Sequence, residues 1–176
     1  MTPAERTFAL QQLSDSRERM LLLLQGLSPD QLVYRSQLER WSIAENVEHV
    51  LVVEKRLVIA IEKLLQEPPC FSKQCSLDDA EVLRQVGTVV QRIEAPPHAL
   101  PKMRWPAETL PHEFATVRQR TRDFASTTNG DLRRQFISHF LFGELDCYQW
   151  LLLIGAHCHR HSAQCEALKS SPGFPS

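Results

Sequence analysis

The feature that most restricts what this chain can become is a capping box with a long helical pattern behind it. In Ser42-Ile43-Ala44-Glu45 the serine hydroxyl can accept from the backbone N–H three residues on, and the glutamate can reach back to the serine N–H. Val47, Val50, Leu51, Val53, Leu57, Val58, Ile61 and Leu64 then recur at helical spacing among Glu and Lys, until Pro68-Pro69 ends the run. The pattern predicts a helix from Ser42 to about Leu65. Most of the stability of such a helix comes from burying its apolar face against neighbours.

The start of the chain carries the same signal. Thr2-Pro3-Ala4-Glu5 combines a capping threonine, a proline at the first helical position and a glutamate to close the box. Ala9, Leu13, Met20, Leu24 and Leu27 mark the apolar side, with one turn skipped at Arg17. Gly26 and Ser28-Pro29 stop this helix, and residues 29–38 are expected to hold a short helical turn. A further long helix is predicted from near Pro111, with Phe114, Val117, Thr121 and Phe124 as its buried stripe and Ser126–Gly130 as its stop. Residues 131–142 are read as a short helix. Gly143-Glu144 is read as the start of the last long helix, which runs to about Leu168.

Between residues 67 and 109 the character changes. Ser76-Leu77-Asp78-Asp79 can cap a shorter helix running to about Glu94, and Ala95–Pro101 is an irregular segment stiffened by proline. No strand pattern and no internal repeat competes. The expected fold is therefore all-α, a four-helix bundle with a long crossover between helices 2 and 3 that carries an extra short helix. A connection of about forty residues is long enough to let those two helices run parallel. Residues 1–168 form the expected domain, and residues 169–176 a flexible tail.

Bulk properties exclude more than they suggest. With 176 residues and 43% hydrophobic content, one domain with one core is expected. The net charge of −1 gives no footprint for nucleic acid, and Arg118-Gln119-Arg120-Thr121-Arg122 and Arg133-Arg134 read as short solvated faces. Apolar runs such as Leu151–Ile154 fall far short of the roughly 20 residues of a membrane span. The N-terminus lacks a charged-then-apolar signal pattern. The odd count of five cysteines fits a reducing, cytoplasmic setting.

One constellation suggests chemistry. His157 and His161 lie one turn apart on one face of the last helix, in a stripe with Trp150, Ile154 and Cys165. His49, on the Ser42–Leu65 helix, needs only to arrive from a facing helix to complete a three-nitrogen metal site. Three neutral imidazoles would leave a coordination position open. Seven histidines in a chain of this length produce such a pair by chance often enough that an ordinary hydrogen-bonded role competes. A set of His157, His161 and Cys165 on one helix is also conceivable, although the third ligand lies about 6 Å further along the axis. His159 is read as solvent-facing and Cys158 as packing.

These residues resemble a known family. Trp41–His49 resembles the second-helix signature of the DinB/YfiT-like metalloenzyme superfamily. Gly143-x-Leu145-Asp146-x-Tyr148-x-Trp150, followed by His157-x-x-Arg160-His161-x-x-Gln164, resembles its C-terminal pattern. Trp105-Pro106 and Ser138-His139 look like the branch called DinB-like, second type. The resemblance covers residues 5–168. It implies a four-helix bundle with a long crossover, and a divalent metal, zinc or nickel, held by His49, His157 and His161. Relatives with assigned chemistry are mostly thiol-dependent transferases, and others are described as hydrolases. The family name reflects DNA-damage-inducible expression and implies no DNA binding.

The expectation is thus a metal-dependent S-transferase that activates a low-molecular-weight thiol against a small-molecule substrate, with homodimerisation by family analogy. Hydrolysis by metal-activated water is the alternative, as is a non-enzymatic, metal-stabilised, dimerising scaffold. Three residues are candidates for further roles, each beside a plainer one. Glu45 could orient an imidazole or act as base, or simply close its capping box. His139 could meet substrate, or be an ordinary loop histidine. Arg160 could contact the carboxylates of a thiol, or form a surface salt bridge. Trp41 and Trp150 are expected to wall the site or the core.

Overall fold

Each helix that builds the centre of the molecule begins where a side chain can satisfy its free N–H groups. The computed structural model describes residues 1–88 and 94–176. Helix α1 (Pro3–Leu24) starts on the Thr2/Glu5 capping box. A one-turn α2 (Pro29–Val33) follows, and α3 (Ile43–Leu64) starts on the Ser42/Glu45 box. Helix α4 (Asp79–Thr88) lies in the crossover, and the stretch of its predicted course from residue 89 to 93 lies outside the described residues. Helix α5 (Leu110–Thr127) has no side-chain cap and is entered instead through a tight turn at Ala107–Thr109. The last helix, α6 (Cys147–Lys169), is capped by the Asp146 carboxylate, which accepts from Gln149 N–H.

Side-chain contacts fix how the four long helices run. Along α1 and α6, Glu5 meets Tyr148, Ser16 meets Cys158 and Leu23 meets Lys169, so the two helices are parallel. Along α3 and α5, Glu54 pairs with Arg118 and Glu62 with Arg120, while Leu65 reaches Gly130; these two are also parallel. Asn46 meets His161 and His49 meets His157, which makes α3 antiparallel to α6. Arg6 donates to the Ala125 carbonyl while Leu13 meets Arg118, so α1 is antiparallel to α5. Helices α1 and α3 each pack on both α5 and α6 and occupy opposite corners. A parallel α3–α5 pair needs a connection that returns the full length of the bundle, as the long crossover allows.

Where α1 and α6 cross, Gly155 has no side chain to hold them apart. A Cβ there would lie 3.2 Å from the Gln12 carbonyl oxygen. The turn skipped at Arg17 in the apolar pattern of α1 also has a reason. Ser16 is fully buried there and its hydroxyl, with the Leu13 carbonyl, receives the Arg118 guanidinium.

Two expectations are corrected. Of residues 131–142 only Leu132–Arg134 form a helical turn, of the 3-10 kind, and Gly143 does not begin α6: β1 (Phe136–His139) pairs antiparallel with β2 (Gly143–Asp146) in a short hairpin. Gly143 closes the hairpin at φ +71°, a conformation most side chains avoid. The hairpin is held from outside, by the Trp150 indole donating to the Ile137 carbonyl and by Cys147 N–H donating to Gln135. Four-residue strands are too short to show alternation, which is why sequence pattern missed them. The basic clusters are not simply solvated faces either. Arg118 is 0% exposed, and Arg133 spans Glu5, Asp79 and Asp146. Residues beyond Lys169 lie against α2, where Phe174 meets the Tyr34 ring edge-on and Tyr34 donates to the Pro172 carbonyl.

Candidate metal centre

The first two turns of α3 carry an unusual load for buried helix: Glu45, Asn46, Glu48 and His49 are all 7% exposed or less. Burying that many polar groups is costly unless each finds a partner, and each does. Glu45 closes its capping box on Ser42 N–H at 2.8 Å and forms a two-pronged pair with Arg35. Its carboxylate is therefore committed to the helix start and to Arg35, in agreement with its plainer reading. Asn46 donates from its amide nitrogen to the Ser42 and Trp41 carbonyls, which turns its oxygen toward α6.

His49 faces His157 and His161 across the α3–α6 interface. The Nε2 atoms of His49 and His157 are 3.2 Å apart, and those of His161 and His157 are 3.1 Å apart. One nitrogen from each of the three rings lies within 4.8 Å of the others. The hydrogen bonds on the far side of two rings fix their tautomers. His49 Nδ1 lies 2.8 Å from the Ala99 carbonyl oxygen, and a carbonyl only accepts, so Nδ1 carries the proton. His161 Nδ1 lies 2.8 Å from Asn46 Oδ1, so it too must donate. Both Nε2 atoms are then bare lone pairs aimed at His157 Nε2.

A single proton on His157 cannot serve two such lone pairs well, whereas one cation at their meeting point satisfies all three. Burial keeps the rings in the ligand-competent, neutral form. It pushes the His49 imidazole below the usual range against the opposing pull of the Ala99 carbonyl. It pushes His157 and His161 well below that range, with the neighbouring imidazoles adding to the effect. The residues present therefore fit a divalent cation, with outer hydrogen bonds orienting two of the three imidazoles.

Trp41 covers one side of the cluster, its ring centre 4.8 Å from that of His49 and 6.2 Å from that of His161. As whole residues, His49 and His161 are buried and His157 is half-buried. Trp150 belongs to the hairpin and core instead, in contact with Ile137 and His139. His139 stacks on Phe142 at 4.3 Å, and its Nδ1 accepts from the Leu141 and Phe142 N–H groups; burial pushes its imidazole down to about 4. It organises the hairpin turn. Arg160 is half-buried, with Nη1 3.5 Å from the Val86 carbonyl on α4, and burial lowers its pKa. Cys165 sits in the apolar core with Met20 and Leu24, away from the imidazoles. His159 is half-buried, with burial and then Arg19 pushing its imidazole down.

A sequence profile of the DinB superfamily matches residues 12–165. The chain belongs to the DinB superfamily. Within reach by sequence is YuaE of Bacillus subtilis (strain 168), an uncharacterized protein, 27% identical over 148 residues that cover 83% of this chain and 88% of YuaE. Among solved structures, YfiT from Bacillus subtilis superposes with a TM-score of 0.59 over 99% of this chain and 91% of YfiT. At 14% identity the match shows a shared fold. YfiT is described as a probable metal-dependent hydrolase with an unusual four-helix bundle topology, and this DinB protein shares its fold, a mostly helical bundle with a small hairpin. Among its described residues no helix is long and apolar enough to cross a membrane.

Sequence pattern did not single out Asn46, Glu48 or Ala99 as parts of the centre. For Asn46 and Glu48 a signal existed, since both are polar residues on the turn that leads to His49. Ala99 contributes only a carbonyl, and no side-chain pattern can announce that.

Proposed function

We propose that this DinB protein binds one divalent cation, zinc or nickel, through His49, His157 and His161, and uses it to act on a small molecule. The observation that carries this reading is the convergence of three Nε2 atoms, two of them fixed as lone pairs by the Ala99 carbonyl and the Asn46 amide. A bound divalent cation with three neutral imidazole ligands supplies Lewis acidity at an open coordination position, where a thiol or a water becomes acidic near neutral pH.

The protein's own residues prepare that position. His49 and His161 are locked in orientation by their Nδ1 hydrogen bonds, so they need little reorganisation to act as ligands. Trp41 covers one side of the cluster, with its ring beside those of His49 and His161. Within this frame we favour thiol-dependent S-transfer, in which a low-molecular-weight thiol adds to an electrophile. The described activity of the structural relative YfiT favours a second reading, metal-dependent hydrolysis.

Elemental analysis of the protein as isolated, with turnover of a simple electrophile measured with and without added thiols, separates the two readings. About one metal per chain and turnover only with thiol is the expected result. Turnover with water alone selects hydrolysis. A His161→Ala variant that keeps full metal content overturns the ligand set.

A further inference from the structure

Beside His49 stands a buried carboxylate that takes no part in the ligand set. Glu48 is 2% exposed and faces the crossover. Its Oε1 accepts from Lys102 N–H at 2.9 Å, from Arg104 N–H at 3.3 Å and from the Arg104 guanidinium at 2.6 Å. The backbone between these donors includes Met103 at φ 54°, the left-handed conformation that a bulky side chain rarely adopts. That turn bends successive N–H groups toward a single point and forms an anion-binding nest around the Glu48 oxygen. The same arginine also donates to the Leu100 carbonyl at 3.1 Å, which closes the loop back on itself.

The consequence lies one residue further back. Ala99 is 2% exposed, and its carbonyl accepts from His49 Nδ1. The loop that the nest anchors is thus the loop that fixes the tautomer of one proposed ligand. Glu48 and His49 are adjacent on α3 and grip the same short stretch of crossover from two points.

We infer that Glu48 is a positioning residue for the metal centre: by seating the 99–104 segment it holds the Ala99 carbonyl on His49 and keeps His49 Nε2 turned toward His157 and His161. This rests on the three-histidine reading above. It adds that the crossover is a working part of the centre, and not only a connection between α3 and α5. Because each event favours the other, cation binding and ordering of the 99–104 segment must reinforce one another reciprocally.

The test is zinc affinity, measured by competition with a chromophoric chelator, together with backbone hydrogen exchange of residues 99–104 with and without zinc. Glu48→Gln keeps the side-chain shape and removes the charge that gathers the nest. It is expected to weaken zinc binding about ten-fold, within the span found when the outer hydrogen bonds of a metal ligand are lost. Zinc is expected to slow exchange at 99–104 in the wild type and to do so less in Glu48→Gln. Arg104→Met, which alters a partly exposed side chain outside the helices, is expected to change both readouts in the same direction by a smaller factor. It carries the same test should Glu48→Gln fail to fold. Wild-type zinc affinity in both variants, with exchange at 99–104 indifferent to zinc, overturns this inference and leaves the metal reading standing. Wild-type protein that takes up neither zinc nor nickel overturns both.

Discussion

At the residue scale, Asn46 shows how one side chain can join helix geometry to site chemistry. Its amide nitrogen is occupied by the carbonyls of the capping turn, so its oxygen has only one direction left, toward His161 Nδ1. Asn46→Leu removes the acceptor, frees His161 to adopt the other tautomer and strands the Nδ1 proton in a buried place. Zinc affinity is expected to fall about ten- to a hundred-fold. Chelator competition reads the loss directly, and unchanged affinity would show that His161 is oriented by other contacts. The histidines themselves were legible from spacing, because one-turn separation on a helix puts two side chains on one face. Which ring nitrogen carries the proton was not, because a carbonyl brought from the crossover and an amide across the helix interface decide it.

At the scale of elements, the bundle depends on a charged contact that the sequence disguised. Arg118 reads as part of a basic surface run, yet it is fully buried, paired through two hydrogen bonds of 2.8 Å with Glu54 on α3 and bonded to Leu13 and Ser16 on α1. It therefore fixes the register of α5 against two neighbours at once. Arg118→Met leaves the Glu54 carboxylate buried without a counter-charge and is expected to cost about 3–5 kcal/mol. Replacing both, as Glu54→Leu with Arg118→Met, is expected to recover most of that loss, since desolvating the pair offsets much of its attraction. Urea denaturation of the two variants checks the difference. A double variant as unstable as the single one would show that the bonds to α1 dominate. Helix starts were readable from Thr2/Glu5 and Ser42/Glu45 because capping is local chemistry. The β1–β2 hairpin was not, because the Trp150 indole and the Gln135 backbone that hold it come from outside its own segment.

For the whole molecule, Arg133 ties the chain start, the crossover and the start of α6 together. It bonds Glu5 at 2.7 Å, Asp79 at 2.6 Å and Asp146 at 2.9 Å, with its guanidinium 4.1 Å from the Tyr148 ring centre. The Arg133 hydrogen bond holds the Asp79 carboxyl below its ordinary range. For Glu5, partial burial works the other way, but the Thr2 N–H and Arg133 outweigh it and its pKa is lowered too. A folded-state pKa below the unfolded one stabilises the protein above the unfolded value, and the gain is lost as pH falls through the folded value. Stability should therefore decline on acidification below about pH 4. Arg133→Met is expected to cost roughly 2–3 kcal/mol at neutral pH, chiefly by leaving the buried Asp146 without a counter-charge, and to flatten that acid decline. Denaturation midpoints across a pH series test both parts. A variant with the acid dependence of the wild type would assign the decline to other carboxylates.

The sequence by itself determined the four long helices, the capping boxes of α1 and α3, the bundle class and the shared face of His157 and His161, because periodicity, capping and one-turn spacing are local properties of the chain. Tertiary structure alone decided how those histidines could act together. It brought α3 antiparallel to α6 so that His49 meets His157 and His161. It routed the crossover so that a backbone carbonyl lands on His49, and it buried an arginine that looked like surface. Each of these depends on contacts between residues far apart in the chain, where hydrogen-bond satisfaction and desolvation depend on the neighbour that packing supplies.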